Sequence, residues 1–202
     1  MAINRDRSPT VCAVILAAGF SRRFGSDKLL STFGGKSILQ CSIESALGSS
    51  VSRVAVVVPE DSELIYHIPA SVSMITNTER REGVSTSIAA GVKFFKSFAE
   101  GILFLVADQP LIDSETLEQL LSIFREHPSC IIASSVGGDI RNPMVFPSKF
   151  FDRLTSLSGD TGAKTIALSS IQDVIKVEVD PNKLVDVDTV EDLKRLNSMF
   201  KK

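Results

Sequence analysis

The chain has 202 residues, 44% of them hydrophobic, and a formal net charge of −2. Apolar content at that level fills a core and excludes a disordered chain, while the charge gives no general pull toward nucleic acid or an anionic membrane. The three cysteines, Cys12, Cys41 and Cys130, lack any metal-ligand spacing, and His67 and His127 each stand beside a turn, which argues against structural zinc and against a histidine-based triad. Cys12 and Cys130 lie in apolar runs and are expected to be buried thiols; the two histidines are expected at the surface.

Residues 1–10 read as a loose polar tail. Arg5 and Arg7 before the apolar stretch Val11 to Phe20 imitate a signal peptide, but Ser21, Arg22 and Arg23 follow at once, and the run is too short to span a bilayer. A cytoplasmic protein with no membrane association is therefore expected. A first buried strand covers roughly 11–17. Lys36 to Leu47 reads as a helix, with Ile38, Leu39, Ile43, Ala46 and Leu47 on one face and Gly48, Ser49 and Ser50 at its end.

A second buried strand runs from Arg53 to Pro59, a short helix from Asp61 to His67, and a shorter strand from Val72 to Thr76. Gly83 to Ser87 leads into a helix through Ile88, Gly91, Val92 and Phe95, with Ser85 or Ser87 as its cap. Gly101 to Ala107 is another buried strand, broken by Asp108-Gln109-Pro110. Asp113 or Ser114 caps the next helix, whose apolar stripe is Leu117, Leu120, Leu121 and Phe124. Strands follow over Cys130 to Ser135 and, after the turn at Gly137-Gly138, over Ile140 to Phe146. Pro147 starts a helix, Gly159 to Gly162 precede a helical run to Leu168, and a last strand spans Val174 to Val179. Val185 to Asp188 then lead to a terminal helix from Val190 to about Phe200.

Strand and helix alternate almost throughout, which implies one α/β domain over 1–202 with a mainly parallel sheet and helices on both faces. Ligands in such sheets bind outside the carboxyl ends of the strands. Leu16 to Lys28, L-A-A-G-F-S-R-R-F-G-S-D-K, leaves the first strand there. Glycines let backbone N–H groups approach an anion, and Arg22, Arg23 and Lys28 supply countercharge, so the stretch suits phosphate; an ordinary charged surface loop is the competing reading. Gly19 and Gly25, six apart, do not make the dinucleotide fingerprint, and Ser26 after Gly25 does not make the ATPase loop. Asp108 at the mouth of a buried strand suits Mg²⁺, which takes one or two carboxylates plus substrate phosphates; a turn former before Pro110 is the alternative. Thr189, Glu191 and Asp192 are accounted for as a helix start, but the alternating acids Asp186 and Asp188 are not.

Leu16, Ala17, Ala18, Gly19, Ser21, Arg23, Gly25 and Lys28 together resemble the signature of the MobA-like nucleotidyltransferases. Ala17-Ala18-Gly19 is most similar to the molybdenum cofactor cytidylyltransferase branch; the guanylyl-transferring branch usually has L-A-G-G there. V-A-D-Q-P around Asp108 resembles the family's metal-binding strand end, and V-D-V-D-T-V-E-D-L resembles its second acidic segment, with Val190 in place of the usual Pro. Asn77, Gly83, Ser85, Ser87 and Gly91 match a family segment near the base and ribose, where Arg80 stands at the usual Trp and Val84 at the usual Met. Asn142-Pro143, and Asp160 within Gly159 to Lys164, resemble segments on the acceptor side.

The resemblance spans nearly the whole chain. It implies a Rossmann-like three-layer α/β/α fold of the nucleotide-diphospho-sugar transferase type. It also implies Mg²⁺-dependent transfer of CMP from CTP to molybdopterin, with pyrophosphate released. Leu16 to Gly19, Ser21, Arg23, Gly25, Lys28, Asn77, Gly83, Ser85 and Ser87 would bind the nucleotide, Asn142, Pro143 and Asp160 the acceptor, and Asp108 and Asp188 the metal. Arg23, Lys28 and Asp108 would carry catalysis, and a molybdenum hydroxylase would receive the product. GTP as donor, a non-enzymatic cofactor carrier and a nucleotide-sugar glycosyltransferase stay open as alternatives.

Overall fold

A computed structural model describes residues 8–20, 24 and 28–199. The first strand is β1 (Val11–Leu16), followed by the tiny hairpin of β2 (Thr32–Phe33) and β3 (Lys36–Ser37), then α1 (Ile38–Leu47) and β4 (Arg53–Pro59). Next come β5 (Ser73–Asn77), α2 (Val84–Phe95), β6 (Gly101–Val106), α3 (Ser114–Glu126), β7 (Ile131–Val136) and β8 (Asp139–Pro147). The chain continues through α4 (Phe151–Thr155), α5 (Lys164–Ser169), β9 (Val174–Glu178) and α6 (Val190–Met199).

Seven strands form one sheet in the order β5-β4-β1-β6-β8-β7-β9. β8 alone in that sheet runs antiparallel to its neighbours. The central strands are continuous apolar runs because both of their faces are covered by helices. Ala13 and Ile15 of β1 enter a core with α1, α3 and Leu196 of α6; Cys12 and Val14 enter a second core with α2, α4 and α5. Gly91 lets α2 settle directly on β1, since a Cβ there would lie 2.6 Å from Val14 Cγ1. Among the described residues no helix is long and apolar enough to cross a membrane.

From β1 the chain moves outward to β4 and β5, then returns to place β6 on the other side of β1. The order therefore reverses between β1 and β6, and at such a switch point the two adjacent loops part and leave a crevice. The register pairs Leu16 with Val106, so residues 17–20 and 107–113 leave the sheet side by side. β8, running the opposite way, pairs with β6 only as far as Phe104↔Met144 and carries Asn142-Pro143 toward the same edge.

Several local expectations change. Lys36 and Ser37 belong to the hairpin, whose turn is Gly34-Gly35 at φ 56° and 87°, and Ser37 caps α1 by accepting from the Gln40 N–H. Residues 63–67 form a 3-10 turn. Neither Ser85 nor Ser87 caps α2: Gly83 holds that position, and both serines are buried within the helix. Cys12 is buried, and burial pushes its thiol up to about 11, but Cys130 is only half-buried. His67 and His127 are exposed, as expected.

Asp113 caps α3, accepting from the Thr116 N–H at 2.9 Å and lying 2.7 Å from Lys183. Partial burial opposes the charge on this carboxylate, but the bonds from Lys183 and Thr116 outweigh it and hold the group below the usual range. A depressed carboxylate stabilises the fold fully above its unfolded pKa of about 3.9 and stops doing so as the pH falls through the lower folded value. Losing the cap in Asp113→Ala should lower unfolding stability by about 1 kcal/mol near pH 7, the exposed ion pair to Lys183 adding little, and the deficit should shrink toward about pH 3. Urea unfolding at both pH values checks this; a deficit that grows on acidification refutes the assignment.

Candidate active site

Where β1 and β6 end, the turn after β6 is held from three sides. The Ala107 N–H donates to Leu16 O at 3.1 Å, the Ser42 hydroxyl of α1 donates to Ala107 O at 3.2 Å, and the Val187 N–H donates to Asp108 O at 2.9 Å. Val187 is fully buried, so the flanking Asp186 and Asp188 are presented on either side of it beside Asp108. That arrangement accounts for the alternating acids.

Lys28 opens a 3-10 turn as the chain returns from the loop. Its Nζ lies 2.7 Å from Asp108 Oδ2 and 3.3 Å from Asp188 Oδ1. The Lys28 side chain is 13% exposed, Asp108 26% and Asp188 40%, so the cation is the most enclosed of the three. Burial works against its charge, but Asp108 and then Asp188 outweigh that and raise its pKa. Asp186 responds the other way. Desolvation of its carboxyl, then the charges of Asp108 and Asp188, raise it above the usual range, although the residue reaches the surface. Gln109, buried at the same turn, donates to Leu184 O at 3.2 Å and braces the approach to these acids.

Beside the cluster lies a cavity of about 420 Å³. Its floor is the strand ends Leu16, Ala18 and Val106 together with Gly19; Asp108 and Asp160 line it, and so do Arg80, Arg81, Gly83, Val84 and Ser87. The Arg80 guanidinium sits over the Phe20 ring at 4.5 Å, tying the segment after β1 to the turn after β5. The volume is in the range that encloses a small ligand, about 300–1,000 Å³.

Gly83 is at φ 108°, ψ 175°, and packs so closely on the 159–160 backbone that a Cβ would fall 2.2 Å from Gly159 C and O. The Ser85 N–H donates to Gly159 O at 3.3 Å. The start of α2 and the segment carrying Asp160 thus form one continuous wall. Asn77 is buried behind that wall: its amide donates to Ser87 Oγ at 2.8 Å and to Thr86 Oγ1 at 2.9 Å, and its oxygen accepts from the Glu79 N–H.

Of the residues singled out from sequence, Leu16, Ala18, Gly19, Gly83, Ser87, Asp108 and Asp160 line the cavity, and Lys28 and Asp188 join Asp108 at its edge. Ala17, Asn77 and Ser85 are buried just behind. Asn142 and Pro143 are placed at the same sheet edge but do not line the cavity. Ser21, Arg23 and Gly25 lie outside the described residues. Phe20, Arg80 and Arg81 in the cavity wall went unassigned from sequence; Arg80 carried a signal, as the charged residue at a position where the resembled segment has Trp, and Arg81 carried none.

Asp108 and Asp188 converge on a single ammonium, so they present oxygens to one point that holds positive charge. Among the described residues no group of three His, Cys, Asp or Glu side chains is arranged to hold a metal ion. Two carboxylates without a third protein ligand suit a hard cation such as Mg²⁺ or Mn²⁺ that takes its remaining oxygens from phosphate and water, and do not suit a self-sufficient protein cage.

A cavity, a lysine and a carboxylate pair at the switch point of a mostly parallel sheet are the arrangement of a nucleotide-binding α/β domain. Residues 13–174 match the MobA-like NTP transferase domain, and the chain belongs to that nucleotidyltransferase family. It is 32% identical over 200 residues to the purine catabolism protein PucB of Bacillus subtilis, covering 92% of this chain and 95% of PucB. Rv0371c of Mycobacterium tuberculosis superposes with a TM-score of 0.83 at 22% identity, covering 95% of this chain and 99% of that one. Its manganese complex superposes with a TM-score of 0.79 at 21% identity, over 94% and 98% of the two chains. A CMP:2-keto-3-deoxy-manno-octonic acid synthetase complexed with CTP gives a TM-score of 0.72 at 16% identity, over 95% and 98%. The fold is the Rossmann-like α/β arrangement of nucleotide-diphospho-sugar transferases.

Proposed function

We propose that the whole chain is one cytidylyltransferase domain that moves CMP from CTP to molybdopterin and releases pyrophosphate. The observation that carries the reading is Lys28 held between Asp108 and Asp188 at the edge of the cavity between β1 and β6. The family membership supports nucleotidyl transfer; the Ala17-Ala18-Gly19 pattern supports cytidine as the base, and the resemblance to the molybdenum cofactor branch supports molybdopterin as the acceptor.

The acceptor needs no protein nucleophile. A phosphate monoester has a second pKa near ~6, so its oxygen is largely deprotonated at neutral pH and can attack the α-phosphorus in line while pyrophosphate leaves. The protein's part is to position the two phosphates and to meet the charge that shifts onto the leaving group. Backbone amides around Gly19 cradle the phosphates, and Lys28 and Arg23 neutralise the triphosphate. Gly83 and Ser87 hold the base and ribose, with Asn77 fixing the Ser87 hydroxyl from behind and Ser85 bracing the wall through its N–H bond to Gly159 O. Asp160, with Asn142 and Pro143, faces the acceptor. Asp108 and Asp188 hold Mg²⁺, which when bound withdraws charge from the phosphate oxygens. The manganese complex of Rv0371c supports a divalent metal in this fold. The setting is cytoplasmic, and the dinucleotide product passes to a molybdenum hydroxylase.

The test is pyrophosphate release from CTP, GTP and ATP with Mg²⁺, with and without molybdopterin. Release from CTP that requires molybdopterin is the expected result. Release from GTP instead keeps the chemistry and overturns the base assignment. No release from any nucleotide by folded protein overturns the enzyme reading.

A further inference from the structure

We infer that Lys28 and the divalent metal compete for the same pair of carboxylates, so that metal and nucleotide load together. The inference rests on the reading of Asp108 and Asp188 as metal ligands.

The Lys28 ammonium engages Asp108 at 2.7 Å and Asp188 at 3.3 Å, across 80 and 160 residues of chain. A cation bound by both carboxylates would need the same oxygens at about 2.0–2.6 Å, inside the space the ammonium holds. The two also repel: the lysine is charged, well enclosed, and poorly screened by water. Metal alone therefore has to evict Lys28 without giving it a new partner. A triphosphate changes this. It brings several negative charges within reach of Lys28, and the flexible four-carbon stem lets the ammonium swing from the carboxylates onto phosphate. Each ligand then favours the other, and by linkage the effect is reciprocal.

The full-length protein is titrated with Mn²⁺ alone and the free ion is followed by electron paramagnetic resonance. The same titration is repeated with a non-hydrolysable α,β-methylene CTP. Wild type should bind Mn²⁺ weakly alone and more tightly with the analogue. Lys28→Met removes the charge and keeps most of the stem, and should bind Mn²⁺ alone at least about tenfold more tightly than wild type, with a smaller gain from the analogue. Lys28→Gln should behave likewise if the Met variant folds poorly, and Lys28→Arg should stay close to wild type. Equal or weaker Mn²⁺ affinity in the folded Met and Gln variants overturns the proposal. If no protein binds Mn²⁺ even with the analogue, while pyrophosphate is still released from CTP, the carboxylates are not the metal site and the competition falls with that assignment. If the Met variant shows the tighter binding but no nucleotide yields pyrophosphate, the competition stands and the transferase reading fails.

Discussion

Asp108→Asn lowers pyrophosphate release by on the order of 10³-fold, an effect of the size seen when one preorganised charge-stabilising group is lost from an active site. The substitution keeps the side-chain volume and the backbone carbonyl that accepts from Val187 N–H, so the fold of the turn has no reason to change. What it removes is one negative charge from the pair on which Lys28 converges. On the proposed mechanism that weakens the hold on Mg²⁺. The loss should fall on kcat more than on KM for CTP, because charge on the leaving phosphates is greatest in the transition state. Steady-state kinetics at saturating Mg²⁺, alongside thermal unfolding of both proteins, makes the comparison. Activity within about tenfold of wild type in a folded variant would remove Asp108 from the reaction.

Gly83→Ala should damage stability and activity together, by about 3 kcal/mol or more and by on the order of 10²-fold, respectively. The backbone there, φ 108° and ψ 175°, belongs to a region that only glycine populates without strain. Its Cβ would also collide with backbone, at 2.2 Å from Gly159 C and O and 2.6 Å from Asp160 N. Backbone cannot rotate away as a side-chain tip can, so the start of α2 and the 159–160 segment must separate. Separation breaks the Ser85 N–H to Gly159 O bond and opens the wall that carries Ser87 and Asp160. Gly19→Ala is the control. Among the described residues a Cβ there meets nothing within 4 Å, so stability should be little changed while nucleotide binding suffers. A Gly83→Ala protein with wild-type unfolding and wild-type turnover would refute the close-packed wall.

How much of this was legible in advance depends on the range of the forces involved. β1, β4 and β6 could be read because strands covered on both faces must be apolar along their whole length, and α3 because its stripe and the Asp113 cap are written within a few residues. The same holds for Thr189 and Asp192, which bond reciprocally across the first turn of α6 at 2.9 and 3.1 Å. The β2–β3 hairpin is invisible to periodicity because strands of two residues carry no period, and the capping of α2 is not written locally because serines near a helix start resemble caps whether or not they are buried.

The site divides the same way. The loop after β1, Lys28 and Asp108 were marked by local composition: glycine, base and acid at the mouths of buried strands. That Asp188 joins them was suggested by pattern. It comes about through one backbone bond from Val187 to Asp108 and through a sheet order that sets β6 against β1 rather than against β5, which precedes it in the chain. Likewise Arg80 becomes a cavity wall because it stacks on Phe20, and Gly83 matters because of a loop more than seventy residues later in the sequence. Periodicity and capping arise from contacts between near neighbours, so the sequence alone carries them. Convergence of distant charges on one point is a property of strand order and packing, which the tertiary structure alone decides.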